Sequence, residues 1–218
     1  VVKAFAYGSN AAIIAKTLQE IRVDYFAVAY ISEGIALRKA GIKTPILVLH
    51  PQLNNLSLAI EHCLEPSLYT LKILKEFERV AQKLNQENYP IHLKFNTGLN
   101  RLGFEPSELD LVAEQFSKTT ALKVKSVFSH LAASEDSEEK EFTLNQIKLY
   151  KSLSATLIEK LGYSVIRHLC NTSGVLNYPD AHFDMVRCGI GLYGYSNSAA
   201  EAKNFKPIAA LKSVISQI

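Results

Sequence analysis

Short apolar runs alternate with longer amphipathic ones along the whole chain. This rhythm constrains the fold more than any other feature, because it marks β-α units feeding a parallel sheet. Eight candidate strands are read at residues 1–6, 25–29, 45–49, 61–64, 91–95, 124–129, 167–170 and 183–187, the fourth being weak. Most are β-branched or aromatic and nearly continuously apolar, as strands buried on both faces are. Helical patterns lie between them at 11–21, 32–40, 53–60, 71–85, 106–116 and 137–161. In the fourth of these, Leu71, Leu74, Phe77, Val80, Ala81 and Leu84 recur at the three-to-four spacing of a buried helical stripe.

Eight strands with crossovers form either an open doubly wound sheet or a closed (β/α)8 barrel of the TIM type. Periodicity does not separate the two, and the count favours closure. In such a barrel the functional groups belong at the C-terminal ends of the strands and in the loops that follow. No linker or low-complexity tract divides the chain, and its 218 residues suit one domain. The polar stretch from Ser134 to Glu141 is read as a helix N-terminus. The first residues look like the inside of a strand, and residues 209–218 like another with nothing after it. Both ends are therefore expected to be cut, the barrel being truncated at its N-terminus.

The 24 basic and 21 acidic residues are interspersed and leave a net charge of +3, which offers no electrostatic footprint for nucleic acid. No apolar run approaches the roughly 18 residues of a membrane span, and no leader pattern is present at the start, so a cytoplasmic location is expected. Cys63, Cys170 and Cys188 are odd in number and lie in apolar surroundings, the pattern of buried thiols in a reducing compartment. None has metal-ligand spacing.

Against this background Lys3 stands out, an ammonium inside Val-Val-Lys-Ala-Phe. Alone, such a lysine is read as one that snorkels to solvent; desolvated, its pKa falls and it can form a Schiff base. Further polar groups sit where strands end. Arg101 lies in the loop after the fifth strand, His130 after the sixth, the turn Asn171-Thr172-Ser173-Gly174 after the seventh, and Arg187-Cys188-Gly189-Ile190-Gly191 after the eighth. An arginine in a barrel mouth suits a carboxylate or a phenolic oxygen, and a polar turn entering a helix suits an anion.

The segments that carry these residues resemble the alanine racemase family. Val1-Val2-Lys3-Ala4-Phe5-Ala6-Tyr7-Gly8 resembles its cofactor-lysine segment, with Phe5, Ser9 and Asn10 replacing the usual Asn, His and Gly. Lys94-Phe95-Asn96-Thr97-Gly98-Leu99-Asn100-Arg101-Leu102-Gly103 is similar to its Lys-x-Asp-Thr-Gly-Met-x-Arg-x-Gly run. Asp184-Met185-Val186-Arg187-Cys188-Gly189-Ile190-Gly191-Leu192-Tyr193-Gly194 is similar to its Asp-x-Val-Arg-x-Gly-Ile-x-Leu-Tyr-Gly. The resemblance covers nearly the whole chain, with the motifs in family order.

The resemblance implies pyridoxal 5'-phosphate as cofactor, with Lys3 carrying it as an internal aldimine and serving as one base at the substrate Cα. It implies that Tyr7, Thr172 (with Ser173 in reserve) and the backbone N–H groups of Gly189 and Ile190 hold the phosphate. Arg187 would donate to the pyridine nitrogen, His130 would stack on the ring, and Arg101 would meet the phenolic oxygen and the substrate carboxylate. Lys94 corresponds to a lysine carbamylated in many members. The implied activity is racemisation of L- and D-alanine for peptidoglycan precursors, by a homodimer with no nucleic-acid or membrane partner.

Racemisation needs a group on each face of the reacting carbon. The opposite base in the family is a tyrosine from a C-terminal β-domain reaching in from the other subunit. Residues 1–206 are accordingly read as the cofactor barrel, and 207–218 as the start of a segment leading to a β-domain outside the chain. The fragment alone is expected to be stereochemically one-sided or nearly inactive. Phe5 and Asn96 point to the branch in which the racemase is fused behind a D-alanyl-D-alanine-adding ligase. Two other readings are a racemase of another amino acid such as serine, and the single-domain pyridoxal-phosphate-binding protein of cofactor homeostasis.

Overall fold

A computed structural model describes residues 1–208, 210, 212–215 and 217. Six parallel strands pair in sequence order, β1 (Phe26–Val28), β2 (Ile46–Val48), β3 (Glu65–Leu68), β4 (Tyr89–Lys94), β5 (Leu122–Phe128) and β6 (Ile166–His168). The register runs Phe26 to Ile46, Val48 to Pro66, Ser67 to His92, Lys94 to Phe128 and Phe128 to His168. β1 and β2 are buried along their whole length, which is why their sequences show no alternation. The sheet curls, and helices cover it between successive strands.

Local sequence accounts for the helices. Asn10 accepts from the N–H groups of Ala12 and Ile13 to start the helix Ala11–Glu20, and Thr70 caps Leu71–Lys83 through Ile73 N–H. Ile73, Leu74, Phe77 and Ala81 of the latter are buried against the sheet with Leu68, Ile91 and Leu93, while Leu84 lies outside the packed stripe. The helix Lys140–Leu161 ends at Gly162, which takes the left-handed conformation. Its Tyr150 is fully buried; the phenol donates to Val127 O at 2.7 Å and accepts from His168 N at 2.9 Å, tying β5 to β6.

Several expectations are corrected. The weak strand at 61–64 is the end of the helix Leu56–Glu61 and a turn with Cys63 at φ 51°; the strand is the next segment, Glu65–Leu68. Cys63 is exposed rather than buried, whereas Cys170 is buried and Cys188 half-buried. The helix expected from residue 137 begins at Lys140. The described residues of 209–218 form no strand, and Ala209, Leu211, Ser216 and Ile218 lie outside the description.

The two outermost expected strands are also different. Residues 183–187 form a single bridge, Met185 to His168, with Arg187 N donating to Cys170 O. Residues 1–6 keep one strand-like bond, Val2 N to Ala27 O at 2.9 Å, and then wind into a helical turn over Lys3–Gly8. Ala4, Phe5, Ala6 and Tyr7 all have φ between 52° and 57°, a left-handed turn without glycine at any of the four. Each such residue costs roughly 1–2 kcal/mol against the right-handed form, so tertiary contacts must hold it. Among the described residues, no helix is long and apolar enough to cross a membrane.

The loop after β4 is pinched at its base. Asn96 N donates to Phe104 O, Phe104 N donates to Lys94 O, and Phe95 bridges Phe104. Gly103 has φ 142°, and a Cβ there would lie 2.6 Å from the Phe95 carbonyl carbon. Gly103→Ala is expected to lower stability by about 2 kcal/mol or more, since both the dihedral and the backbone contact resist it. Denaturant unfolding of the two proteins checks this, and an unchanged midpoint would contradict it.

Candidate active site

The C-terminal ends of the strands open on a cavity of about 670 Å³. Its walls include Lys3, Tyr7, Lys94, Arg101, His130, Thr172, Arg187, Gly189 and Ile190, drawn from segments up to 187 residues apart in sequence. A cleft of about 750 Å³ lies at the opposite ends of β5 and β6, lined by Lys123, Lys125 and Arg167, and contains none of these residues.

Arg187 is the most tightly held of them. Its Nη2 donates to Ser129 O at 2.6 Å and Leu169 O at 3.0 Å and approaches His130 Nδ1 at 3.2 Å; Nη1 donates to His168 Nδ1 at 2.6 Å. The guanidinium carbon also lies 5.2 Å from the centre of the Phe128 ring, which stacks on His168 at 4.7 Å. Burial pulls the Arg187 pKa down to about 10, so the group remains a cation at neutral pH.

The surrounding groups feel that charge. Burial first, then Arg187, Arg101, Lys94 and Lys3, push His130 down to about 3. A neutral imidazole whose Nδ1 faces an arginine is an acceptor there and no proton donor. Lys94, at the end of β4, is lowered to about 8 by burial and then by Arg101, Arg187 and Lys3. Arg101 is exposed at the cavity mouth. Its loop is shaped by Asn96, whose Oδ1 accepts from Gly98 and Asn100 N–H while its Nδ2 donates to Asn100 Oδ1 and Glu105 Oε1. An asparagine thus serves as loop acceptor where the family pattern has aspartate.

On the other wall, Thr172 Oγ1 accepts from Gly189 N at 3.1 Å and Gly191 N at 3.2 Å. A Cβ on Gly189 would collide with the Tyr7 hydroxyl, and one on Gly191 would lie 2.6 Å from Thr172 Cγ2. Two glycines, a threonine hydroxyl and a tyrosine hydroxyl therefore form a cradle whose Gly189 and Gly191 N–H groups both donate to Thr172. Tyr193 packs 5.3 Å from Tyr7, and its buried hydroxyl has no hydrogen-bond partner among the described residues. Ser173, the reserve for Thr172, turns away: it is buried and its hydroxyl donates to Glu201 Oε2.

Residues that the sequence did not single out also build the site. Glu33 accepts from Ala4 N at 2.7 Å through Oε1, and from Ala29 N at 2.6 Å and Tyr30 N at 3.2 Å through Oε2. One carboxylate thus fastens the residue after Lys3 to the end of β1 and stabilises the left-handed turn. Gly191 and His168 were likewise unassigned. The signal available for His168 was a histidine in an apolar strand just before a site loop.

The family model for the alanine racemase N-terminal domain matches residues 1–197. The chain belongs to that family. It is 38% identical over 216 residues to an alanine racemase of Treponema denticola, covering 96% of this chain and 56% of that one. It is 33% identical over 218 residues to alanine racemase 1 of Oceanobacillus iheyensis, covering 99% and 56%. Among solved structures, the alanine racemase of Clostridium difficile in complex with cycloserine superposes with a TM-score of 0.85 at 31% identity, over 91% of this chain and 54% of that one. That of a D-cycloserine-producing Streptomyces lavendulae gives 0.87 at 29%, over 94% and 56%. The chain spans a little over half the length of these relatives.

Lys94 supplies a pH test. Its folded pKa lies below the unfolded value of 10.5, so the cost of burying its charge is fully present below about pH 8 and is relieved as pH rises from 8 to 10.5. In carbon-dioxide-free buffer, Lys94→Met is expected to stabilise the protein by about 1–3 kcal/mol at pH 7. The gain should fade across that window. Unfolding curves at pH 7 and pH 10 measure it, and a variant less stable at pH 7 would contradict the argument.

Proposed function

We propose that this chain is the pyridoxal-phosphate-binding barrel of an alanine racemase, interconverting L- and D-alanine for peptidoglycan precursors in the cytoplasm as part of a homodimer. The observation that carries the reading is the convergence of Lys3, Arg101, Arg187 and the Tyr7–Thr172–Gly189 cradle on one cavity in a chain of this family. Closure into an eight-membered ring is supported by Val2 N to Ala27 O, the Met185 to His168 bridge, and the Val1 nitrogen donating to Cys188 O at 2.8 Å.

The donor set fits the cofactor. Four cationic side chains line a pocket suited to a phosphate and a carboxylate, and the glycines let the Tyr7 and Thr172 side chains close on the backbone beside it. Pyridoxal phosphate, when bound, supplies the electron-withdrawing ring that acidifies the Cα–H of an amino acid joined to it. Thr172, Gly189, Ile190 and Tyr7 would hold the phosphate. Arg187, fixed on its inner side by two carbonyls and His168, offers the ring nitrogen a donor that does not give up its proton, which restrains charge delocalisation and disfavours transamination. His130, neutral, contributes a ring face.

Arg101 would pair with the substrate carboxylate and orient Cα toward Lys3 Nζ, which takes or returns the proton on one face. The other face requires a second group, and the tyrosine of a partner subunit's β-domain is the expected one. The Lys94 pKa of about 8 leaves a neutral amine fraction able to take up carbon dioxide, and the resulting anion would position Arg101. Alanine is favoured over serine because the relatives at 33–38% identity are named alanine racemases.

Deuterium exchange tests this reading. With added pyridoxal phosphate in D2O, this chain should exchange the Cα hydrogen of one alanine enantiomer at least tenfold faster than the other, and Lys3→Ala should abolish exchange. Exchange that survives Lys3→Ala, or that is faster with serine, would contradict it.

A further inference from the structure

Behind Arg187 a file of polar side chains crosses the interior of the sheet. His168 Nδ1 meets Arg187 Nη1 at 2.6 Å, and His168 Nε2 meets Ser126 Oγ at 2.8 Å. Ser126 Oγ meets His92 Nδ1 at 2.5 Å, and His92 Nε2 meets Glu65 Oε2 at 2.9 Å. His92, Ser126 and His168 have no solvent exposure, and Glu65 begins β3, at the end of the strands opposite the cavity. Tyr25 adds a hydroxyl donor to the same Glu65 oxygen at 3.1 Å.

With both histidines neutral, one arrangement of protons satisfies all four links. Arginine donates and never accepts, so His168 Nδ1 carries a lone pair. Burial and the neighbouring Arg187 and His92 hold the His168 pKa far below its usual value, so the ring is neutral and its proton sits on Nε2. That proton goes to Ser126 Oγ. The single hydroxyl hydrogen of Ser126 then goes to His92 Nδ1, and His92 Nε2–H goes to the Glu65 carboxylate. A cation at one end and an anion at the other agree on the direction. An extra proton on His92 would leave the Ser126 hydroxyl hydrogen buried without an acceptor, unless Ser126 turned to His168 Nε2 and set His168 Nδ1–H against Arg187.

We propose that Glu65 is a positioning residue for Arg187, acting from the far side of the sheet through His92, Ser126 and His168 to keep a lone pair of His168 aimed at the guanidinium. Apolar side chains in these positions would fill the same space without three buried polar groups to satisfy. The polar file ends on Arg187, which ties the segment after residue 183 to the ends of β5 and β6 and faces the cavity. Without an acceptor at position 65, His92 Nε2–H is orphaned. Its relief is to move the proton to Nδ1, which turns Ser126 toward His168 Nε2 and shifts the His168 proton to the side facing Arg187. The consequence for the cofactor rests on the function proposed above; the proton arrangement does not.

The test is ¹⁵N NMR of the histidines in cofactor-free protein, combined with pyridoxal phosphate affinity read by absorbance. In the wild type at pH 7, His168 and His92 should both be Nε2–H tautomers. Glu65→Leu should give His168 a mixture of tautomers and weaken pyridoxal phosphate by about tenfold, the scale on which orienting groups act in metal sites. Glu65→Gln, whose amide oxygen still accepts, should restore both. Ser126→Ala cuts the file in the middle and should reproduce the loss with the His92–Glu65 bond intact. A wild-type His168 that is an Nδ1–H tautomer or imidazolium overturns the proposal, whether or not the variants fold. So does Glu65→Leu with both readouts unchanged. Wild-type protein with these tautomers that binds no pyridoxal phosphate would refute the proposed function while upholding the relay.

Discussion

The guanidinium of Arg187 is a charge taken almost out of water, and its fastening organises what surrounds it. A buried cation is tolerable only where its hydrogen-bonding groups are met. Here the ends of β5 and β6 and the residues just beyond them supply the partners, Ser129 O, Leu169 O and His168 Nδ1. The same contacts bring the segment after residue 183 back onto the sheet, although it makes only a single bridge. The fold and the cavity therefore share one anchor. With Lys3, Lys94 and Arg101 beside it, the cavity holds an excess of positive charge that adds to burial in depressing both Lys94 and His130. An anionic ligand relieves that excess, which makes a phosphate-bearing cofactor and a carboxylate substrate physically apt.

A second constraint acts on Lys3. Four consecutive left-handed residues without glycine are unfavourable by themselves, and they persist where surrounding structure over-determines them. Glu33 provides that through three backbone N–H groups, joining Ala4 to Ala29 and Tyr30. Tyr7, the last residue of the turn with positive φ outside glycine, is carried to Gly189, where the absent Cβ leaves room for its hydroxyl. Backbone strain at one wall and a missing side chain at the other thus fit together.

Much of this was legible in the sequence. The parallel α/β class followed from continuous apolar runs such as Ile46-Leu47-Val48, and the helices from stripes such as Leu74–Phe77–Ala81, because burial imposes those periods directly. The motifs also singled out Lys3 within the first apolar run and Arg101, His130, Thr172 and Arg187 at or after strand ends, and all five line one cavity. The left-handed turn was not legible: Ala-Phe-Ala-Tyr carries no local signal for it, and a carboxylate 29 residues away holds it. The Thr172 and Ser173 choice depended on which hydroxyl Glu201 engages, a long-range contact. His92, Ser126 and His168 were visible as polar residues in apolar strands, but their connection needs strand register to be seen.

The central claim is that Lys3, and not the buried Lys94 on the same cavity wall, carries the cofactor. Incubating the protein with pyridoxal phosphate, reducing with borohydride and mapping the peptides tests it directly. The account predicts a pyridoxyl group on Lys3 and an unmodified Lys94; an adduct on Lys94, or no reducible adduct at all, would contradict it.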